Sequence, residues 1–264
     1  MGLNSSCFSW EYQTKHLAET GRYTVLIFDN RGMGLSDSPS GFYKTSQLAD
    51  DVIDLLDILG WTSKVHLCGV SMGGMISLEL VTSWPDRFKS VVLTSTTRGK
   101  QIPTWKAFST LSRLAFIKDP RDKVDSAISL VYPISWMDAK PTEIEDQKYA
   151  SNREMAVAAA MARIERSRPQ PLRGNIGQTA ACLTHFVSDE RLSKIKENGI
   201  PVLIVTGTDD CLVNPQNSYF LHDIIGGQFE VFEGSGHGLP GEQTKRYNQL
   251  IDEHFWKATS GTNK

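Results

Sequence analysis

Two short runs in the chain, residues 23–28 (YTVLIF) and 65–70 (VHLCGV), concentrate β-branched and aromatic residues without helical spacing, and predict buried parallel strands. Between them Leu48, Val52, Leu55, Leu56 and Leu59 recur at i, i+4, i+7, i+8 and i+11. That is one face of an amphipathic helix, opened by Thr45 or Ser46 and ended by Gly60. Strand, helix, strand in this order is a right-handed crossover. The alternation continues with a helix over 72–84 stopped by Pro85 and a strand over 91–94. It resumes much later with strands over 201–206 and 229–232 and a helix over 243–256, followed by a polar tail. Residues 97 to about 195 interrupt it with helix-like segments, among them 153–166, which holds the good helix-forming run MAVAAAM. The pattern therefore predicts an α/β fold with a first core part at 1–96, a helical insertion at 97–195 and a second core part at 196–264, free of repeats.

Composition narrows the function classes. With 28 basic and 30 acidic residues in 264, the net charge of −2 argues against an electrostatic nucleic-acid or membrane binder. Six Trp, seven Tyr and eleven Phe exclude a disordered chain. No apolar run approaches the ~20 residues that cross a bilayer, and the start of the sequence has neither a basic leader nor an apolar signal core. The expectation is a cytoplasmic protein. Cys7, Cys68, Cys182 and Cys211 are scattered without a C-x-x-C pair, so neither a disulfide scaffold nor a zinc site is expected, only buried thiols in a reducing compartment.

The strand ending at Val70 runs straight into Gly69-Val70-Ser71-Met72-Gly73-Gly74, and a helix begins with no room for a loop. This is the G-x-S-x-G context, in which small neighbours let strand and helix approach and the serine hydroxyl is lifted beside N–H groups at a helix N-terminus. Those donors and the helix dipole favour an anion formed there. A serine hydroxyl is a weak nucleophile near neutral pH, so it needs a base, and the base needs a group that fixes its tautomer. Two loops after predicted strands offer them: Thr208-Asp209-Asp210-Cys211 and Ser235-Gly236-His237-Gly238. Both lie at strand ends where open α/β sheets place their chemistry. His16, His66, His185, His222 and His254 fall on predicted elements or in the insertion and read as surface or packing residues.

With GVSMGG, the stretch FDNRGMGLSD over 28–37 and the two late loops, the sequence resembles the α/β-hydrolase superfamily, in its branch of small esterases, enol-lactonases and cofactor-free haloperoxidases. The resemblance covers residues 1–96 and 201–239. It implies a mostly parallel sheet flanked by helices, a helical cap at 97–195, and a catalytic order of Ser71, Asp210 and His237. Asp210 is chosen over the adjacent Asp209 by the family pattern G-x-x-D counted from Gly207. Gly32-Met33-Gly34 reads as a structural turn, because the third glycine and the acid of a dinucleotide fingerprint are absent. The segment Met1-Gly2-Leu3 resembles the family's His-Gly-x oxyanion segment, with methionine in place of histidine. That implies the N–H groups of Leu3 and Met72 as oxyanion donors.

The resemblance also implies a strand between 23–28 and 65–70 in the sheet, with two edge strands before it, and the sequence has no residues for them. The expectation is a shortened N-terminus: either the neighbouring strands close up, or the sheet has a gap that leaves backbone groups unpaired, and upstream sequence would restore stability and activity together. The same N-terminus matches M-G-x-x-x-S through Gly2 and Ser6, a lipidation signal with Cys7 as a palmitoylation candidate, which would compete with the oxyanion role.

In the insertion, Trp105, Phe108, Phe116, Tyr132, Trp136, Met155, Met161 and Phe186 supply apolar bulk that would line an acyl pocket or pack as cap core. Arg163, Arg166, Arg168 and Arg173 read as solvated surface. The reading is a serine hydrolase of carboxylic esters or lactones, with a small-molecule substrate and no cofactor, metal or nucleic-acid partner. The alternative is a non-catalytic binding or regulatory protein, or an inactive fragment, on the same fold. Oligomeric state is open.

Overall fold

The computed structural model describes residues 1–100, 116–143 and 148–261. Trp105 and Phe108 lie outside the described residues. Four parallel strands, β1 Val65–Val70, β2 Phe88–Thr94, β3 Val202–Gly207 and β4 Gln228–Phe232, are hydrogen-bonded in the order β1-β2-β3-β4. Their register puts Val70 beside Thr94, Thr94 beside Val205, and Gly207 beside Phe232. The ends of the strands therefore lie level, and the loops that follow them meet along one edge.

Helices α1 Glu11–Glu19, α2 Thr45–Ile58 and α3 Met72–Ser83 belong to the first part of the chain. Helices α4 Pro120–Val131, α5 Ile134–Asp138, α6 Asn152–Glu165 and α7 Leu172–Thr184 fall in the expected insertion, and α8 Asp189–Glu197 crosses its end. Helices α9 Gln216–Ile225, α10 Leu239–Glu242 and α11 Thr244–Ser260 complete the described residues. Side chains alternate across the strands, so each sheet face builds its own layer. Val91, Leu93, Val202 and Ile204 pack with α2, α3, α8 and α9 through Leu48, Ile76, Leu192 and Leu221. Val92, Leu203, Val205 and Phe232 pack with α1 and α11 through Leu17, Tyr247, Ile251 and Phe255. A smaller cluster of Ile128, Met137, Ala156 and Val157, flanked by Tyr132 and Trp136, joins α4, α5 and α6. Among the described residues no helix is long and apolar enough to cross a membrane.

One expectation is corrected. Residues 23–28 do not form a strand. Their side chains still alternate: Tyr23 and Val25 join the layer of α1 and α11, while Leu26 and Phe28 join that of α2 and α3. The segment lies where a strand would lie, yet among the described residues its backbone makes no hydrogen bond over 23–28. The neighbouring strands have not closed up. A cavity of about 810 Å³ runs between this segment and β1, lined by Val25, Leu26, Ile27 and Phe28 on one side and Val65, His66, Leu67 and Cys68 on the other. A strand is made by its partner as much as by its own sequence, and here the partner edge is out of reach.

Candidate active site

Three loops converge at the level strand ends. The first is the turn between β1 and α3. Ser71 has φ 57° and ψ −120°, a conformation that side chains other than glycine rarely adopt. It is held there from both sides, by its N–H on the Thr94 carbonyl at 2.9 Å and by Thr96 Oγ1 donating to its own carbonyl at 2.8 Å. The turn depends on bare neighbours. A Cβ on Gly69 would stand 2.4 Å from the Gly73 carbonyl oxygen, and one on Gly74 would stand 2.5 Å from Thr96 Cβ. Ser71 is thus left half-buried, next to the N–H of Met72, one of the donors that the first turn of a helix cannot satisfy internally.

The second loop follows β3, the third follows β4. Asp210 Oδ2 and His237 Nδ1 are 2.8 Å apart, with the Asp210 side chain fully buried. The other carboxylate oxygen, Oδ1, accepts the N–H groups of Leu212 and Val213, both at 2.9 Å. An acid held by three hydrogen bonds has one orientation, and it faces the imidazole. Asp209 is exposed and turned elsewhere, its carboxylate taking the Thr208 hydroxyl at 3.2 Å. Of the two adjacent acids, Asp210 is the one in contact with His237. Among the described residues no hydrogen bond joins Ser71 Oγ to His237, and Asp210 and His237 are the two members of the expected set brought into direct contact.

The N-terminal segment covers Ser71. A methyl group on Gly2 would sit 3.3 Å from Ser71 Cβ and 3.7 Å from its Oγ, which places Leu3 one residue from the hydroxyl. Sequence reasoning missed how this segment is fixed. Asn4, at φ 59°, donates its N–H to Gln178 Oε1 at 3.4 Å and accepts from Asn175 Nδ2 at 2.8 Å, so α7 anchors it. Asp29 adds a second tie, accepting the N–H groups of Cys7 at 2.7 Å and Leu35 at 2.9 Å. The turn over 28–37 is thus a structural clamp. No local signal reveals the α7 anchor, because its partners are more than 170 residues apart.

Helix α4 closes over the same loops. The Val131 carbonyl accepts the Gly238 N–H at 3.0 Å, and the Tyr132 ring lies against Gly238 and stacks on Trp136 at 4.5 Å between centroids. Tyr132 and Trp136 therefore pack as part of the α4–α6 cluster. Other nucleophiles are poor candidates: burial pushes the thiol of Cys68 up to about 11 and that of Cys182 up to about 12. Among the described residues no three His, Cys, Asp or Glu side chains gather as a metal site requires.

If Asp210 fixes the tautomer of His237, Asp210→Asn will lower kcat by roughly 10²- to 10⁴-fold while the fold persists, and Asp209→Asn will change it far less. Hydrolysis rates of the two purified variants check this, and a larger loss at Asp209 would reverse the assignment.

A family model described as the α/β hydrolase fold matches residues 2–243. The chain is similar to 3-oxoadipate enol-lactonase 2 of Acinetobacter baylyi, with 26% identity over 95% of this chain and 84% of that protein. Among solved structures it is similar to a serine hydrolase from Cycloclasticus zankles, a polyaromatic-hydrocarbon-degrading bacterium, at 26% identity and a TM-score of 0.75 over 97% of this chain and 87% of that one. A thermophilic esterase from Thermogutta terrifontis shares the fold at 22% identity and a TM-score of 0.74, over 97% of this chain and 88% of that one. The match spans most of the chain and takes in both sheet faces and all three converging loops, and the protein belongs to the α/β-hydrolase fold family.

Proposed function

We propose that the protein is a serine hydrolase that cleaves a carboxylic ester or lactone through an acyl-enzyme, with Ser71, His237 and Asp210 as its catalytic residues. The observation that carries the reading is the pairing of a strained, half-buried serine at a helix N-terminus with a buried histidine–aspartate pair on the adjoining strand ends. Ser71 Oγ attacks the carbonyl carbon while His237 Nε2 takes its proton. Asp210 stabilises the imidazolium through Nδ1 and keeps the proton on the correct nitrogen. The tetrahedral oxyanion is held by the N–H groups of Met72 and Leu3. Collapse breaks the bond to the alcohol oxygen, which leaves with the proton from His237 and gives acyl-Ser71. Water, deprotonated by His237, then attacks the acyl carbon, and the acid and free Ser71 are released. A lactone follows the same steps, with the alcohol remaining on the acyl chain.

The helices between 97 and 195 act as a cap in this reading, since α4 already contacts the His237 loop. The names of the relatives, an enol-lactonase and an esterase, support the same substrate class. A non-catalytic protein on this fold is the second reading, favoured by the missing hydrogen bond between Ser71 and His237, although such bonds are often long until substrate closes the site. One experiment separates the two. A fluorophosphonate probe, which reacts only with an activated serine, is expected to label the peptide containing Ser71. Failure to label the native protein would sink the hydrolase reading.

A further inference from the structure

The His237 loop is gripped from behind by a residue that the catalytic scheme does not use. Glu242 ends α10, five residues after His237, and is only 3% exposed. Its Oε1 accepts the Gly236 N–H at 2.8 Å, so it holds the peptide that leads directly into His237. The neighbouring Gln243 donates to Ser235 Oγ at 2.7 Å, and the Val131 carbonyl takes the Gly238 N–H on the other side of the histidine. Among the described residues no cation pairs with Glu242. A leucine or methionine would fill such a site more cheaply, so a carboxyl there asks for a reason.

We propose that Glu242 is a positioning residue for His237, fixing the Gly236 peptide so that the imidazole stays on Asp210. The inference rests on the reading of His237 as the catalytic base. The titratable groups that act on or respond to Glu242 are Asp209 and Asp210 from the loop after β3 and Tyr132 from the end of α4. Burial pushes the Glu242 carboxyl up to about 8, opposed by the Gly236 N–H and the Ser235 hydroxyl and reinforced by Asp210 and Asp209. At neutral pH Glu242 therefore keeps its proton, accepts from Gly236, and sets no second negative charge against Asp210. Above about pH 8 it ionises, and a second buried carboxylate then stands close enough to Asp210 to oppose it.

The test uses Glu242→Gln and Glu242→Ala, read by rate and by the NMR resonance of the His237 Nδ1 proton bonded to Asp210. Glutamine keeps the carbonyl acceptor and cannot ionise. That variant is expected to hold kcat at pH 7 within about threefold, keep the resonance, and lack the fall in kcat expected of the native protein above about pH 8. Alanine leaves the Gly236 N–H unsatisfied, so kcat should drop about 10- to 10²-fold with KM within about twofold, and the resonance should broaden. An alanine variant with native rate and a sharp resonance would overturn the proposal. If alanine prevents folding, the glutamine variant decides: with the acceptor for the Gly236 N–H retained, a lost resonance or a kcat more than tenfold below native overturns it. Absence of fluorophosphonate labelling in the native protein would defeat the catalytic reading separately, and the resonance still reports whether Glu242 positions the ring.

Discussion

Ser71→Ala is expected to lower kcat on short acyl esters by about 10³-fold or more and to abolish fluorophosphonate labelling, with the fold intact. The fold should survive because the contacts holding the turn are made by the Ser71 backbone, to Thr94 and Thr96, and alanine keeps both. The strain of φ 57° is shared by serine and alanine alike. What disappears is the hydroxyl, and with it the proposed acyl-enzyme route. Residual turnover would come from binding and from the proposed Met72 and Leu3 donors acting on water attack, which sets a floor above the uncatalysed rate. Release of p-nitrophenol from its acetate ester measures the loss. Undiminished turnover would remove Ser71 from the mechanism.

The turn that carries Ser71 is legible in the sequence because its determinants are local. Gly69, Ser71 and Gly74 must occupy neighbouring positions for a strand to turn into a helix within one residue, so the chemistry and its steric conditions share one short string. The α2 helix was equally plain, since Leu48, Val52 and Leu56 repeat on one face and all three are buried. Asp209 and Asp210 are harder to tell apart, because both sit on the same loop. The Asp210 carboxylate that meets His237 is oriented by the N–H groups of Leu212 and Val213, which a residue string does not reveal. Glu242 carried no signal at all: a lone glutamate near a helix end looks solvated, and only the fold reveals that it faces the Gly236 peptide. Residues 23–28 show the opposite failure. Their composition is that of a strand and their side chains alternate as in one, but hydrogen-bonded pairing belongs to two segments at once, and composition describes one.

The same unpaired edge leads to the second large effect, expected in stability. Among the described residues β1 is bonded to β2 on one side only, and its other edge faces the cavity of about 810 Å³. Strand spacing makes the arrangement hard to close, since pairing needs the backbones within about 5 Å and both faces of each segment are already committed to different layers. Water can reach the backbone groups, but the walls include Leu26, Phe28, Leu67, Ile76 and Leu80, against which water gains nothing. The β1 edge is half-buried, so its backbone groups exchange ladder bonds for water while the apolar walls beside them stay open, and each wall side chain kept from packing forfeits part of its burial. The chain is therefore expected to melt broadly and at low temperature, to bind the dye ANS at the exposed apolar walls, and to aggregate on expression. Amide exchange gives the sharpest reading. In a parallel ladder, alternate residues point their N–H groups to opposite sides, so every second amide of β1 should be protected by β2 and the intervening ones should exchange quickly. A cooperative melt without dye binding, together with slow exchange at every β1 amide, would mean that in solution this edge is paired and the cavity closed.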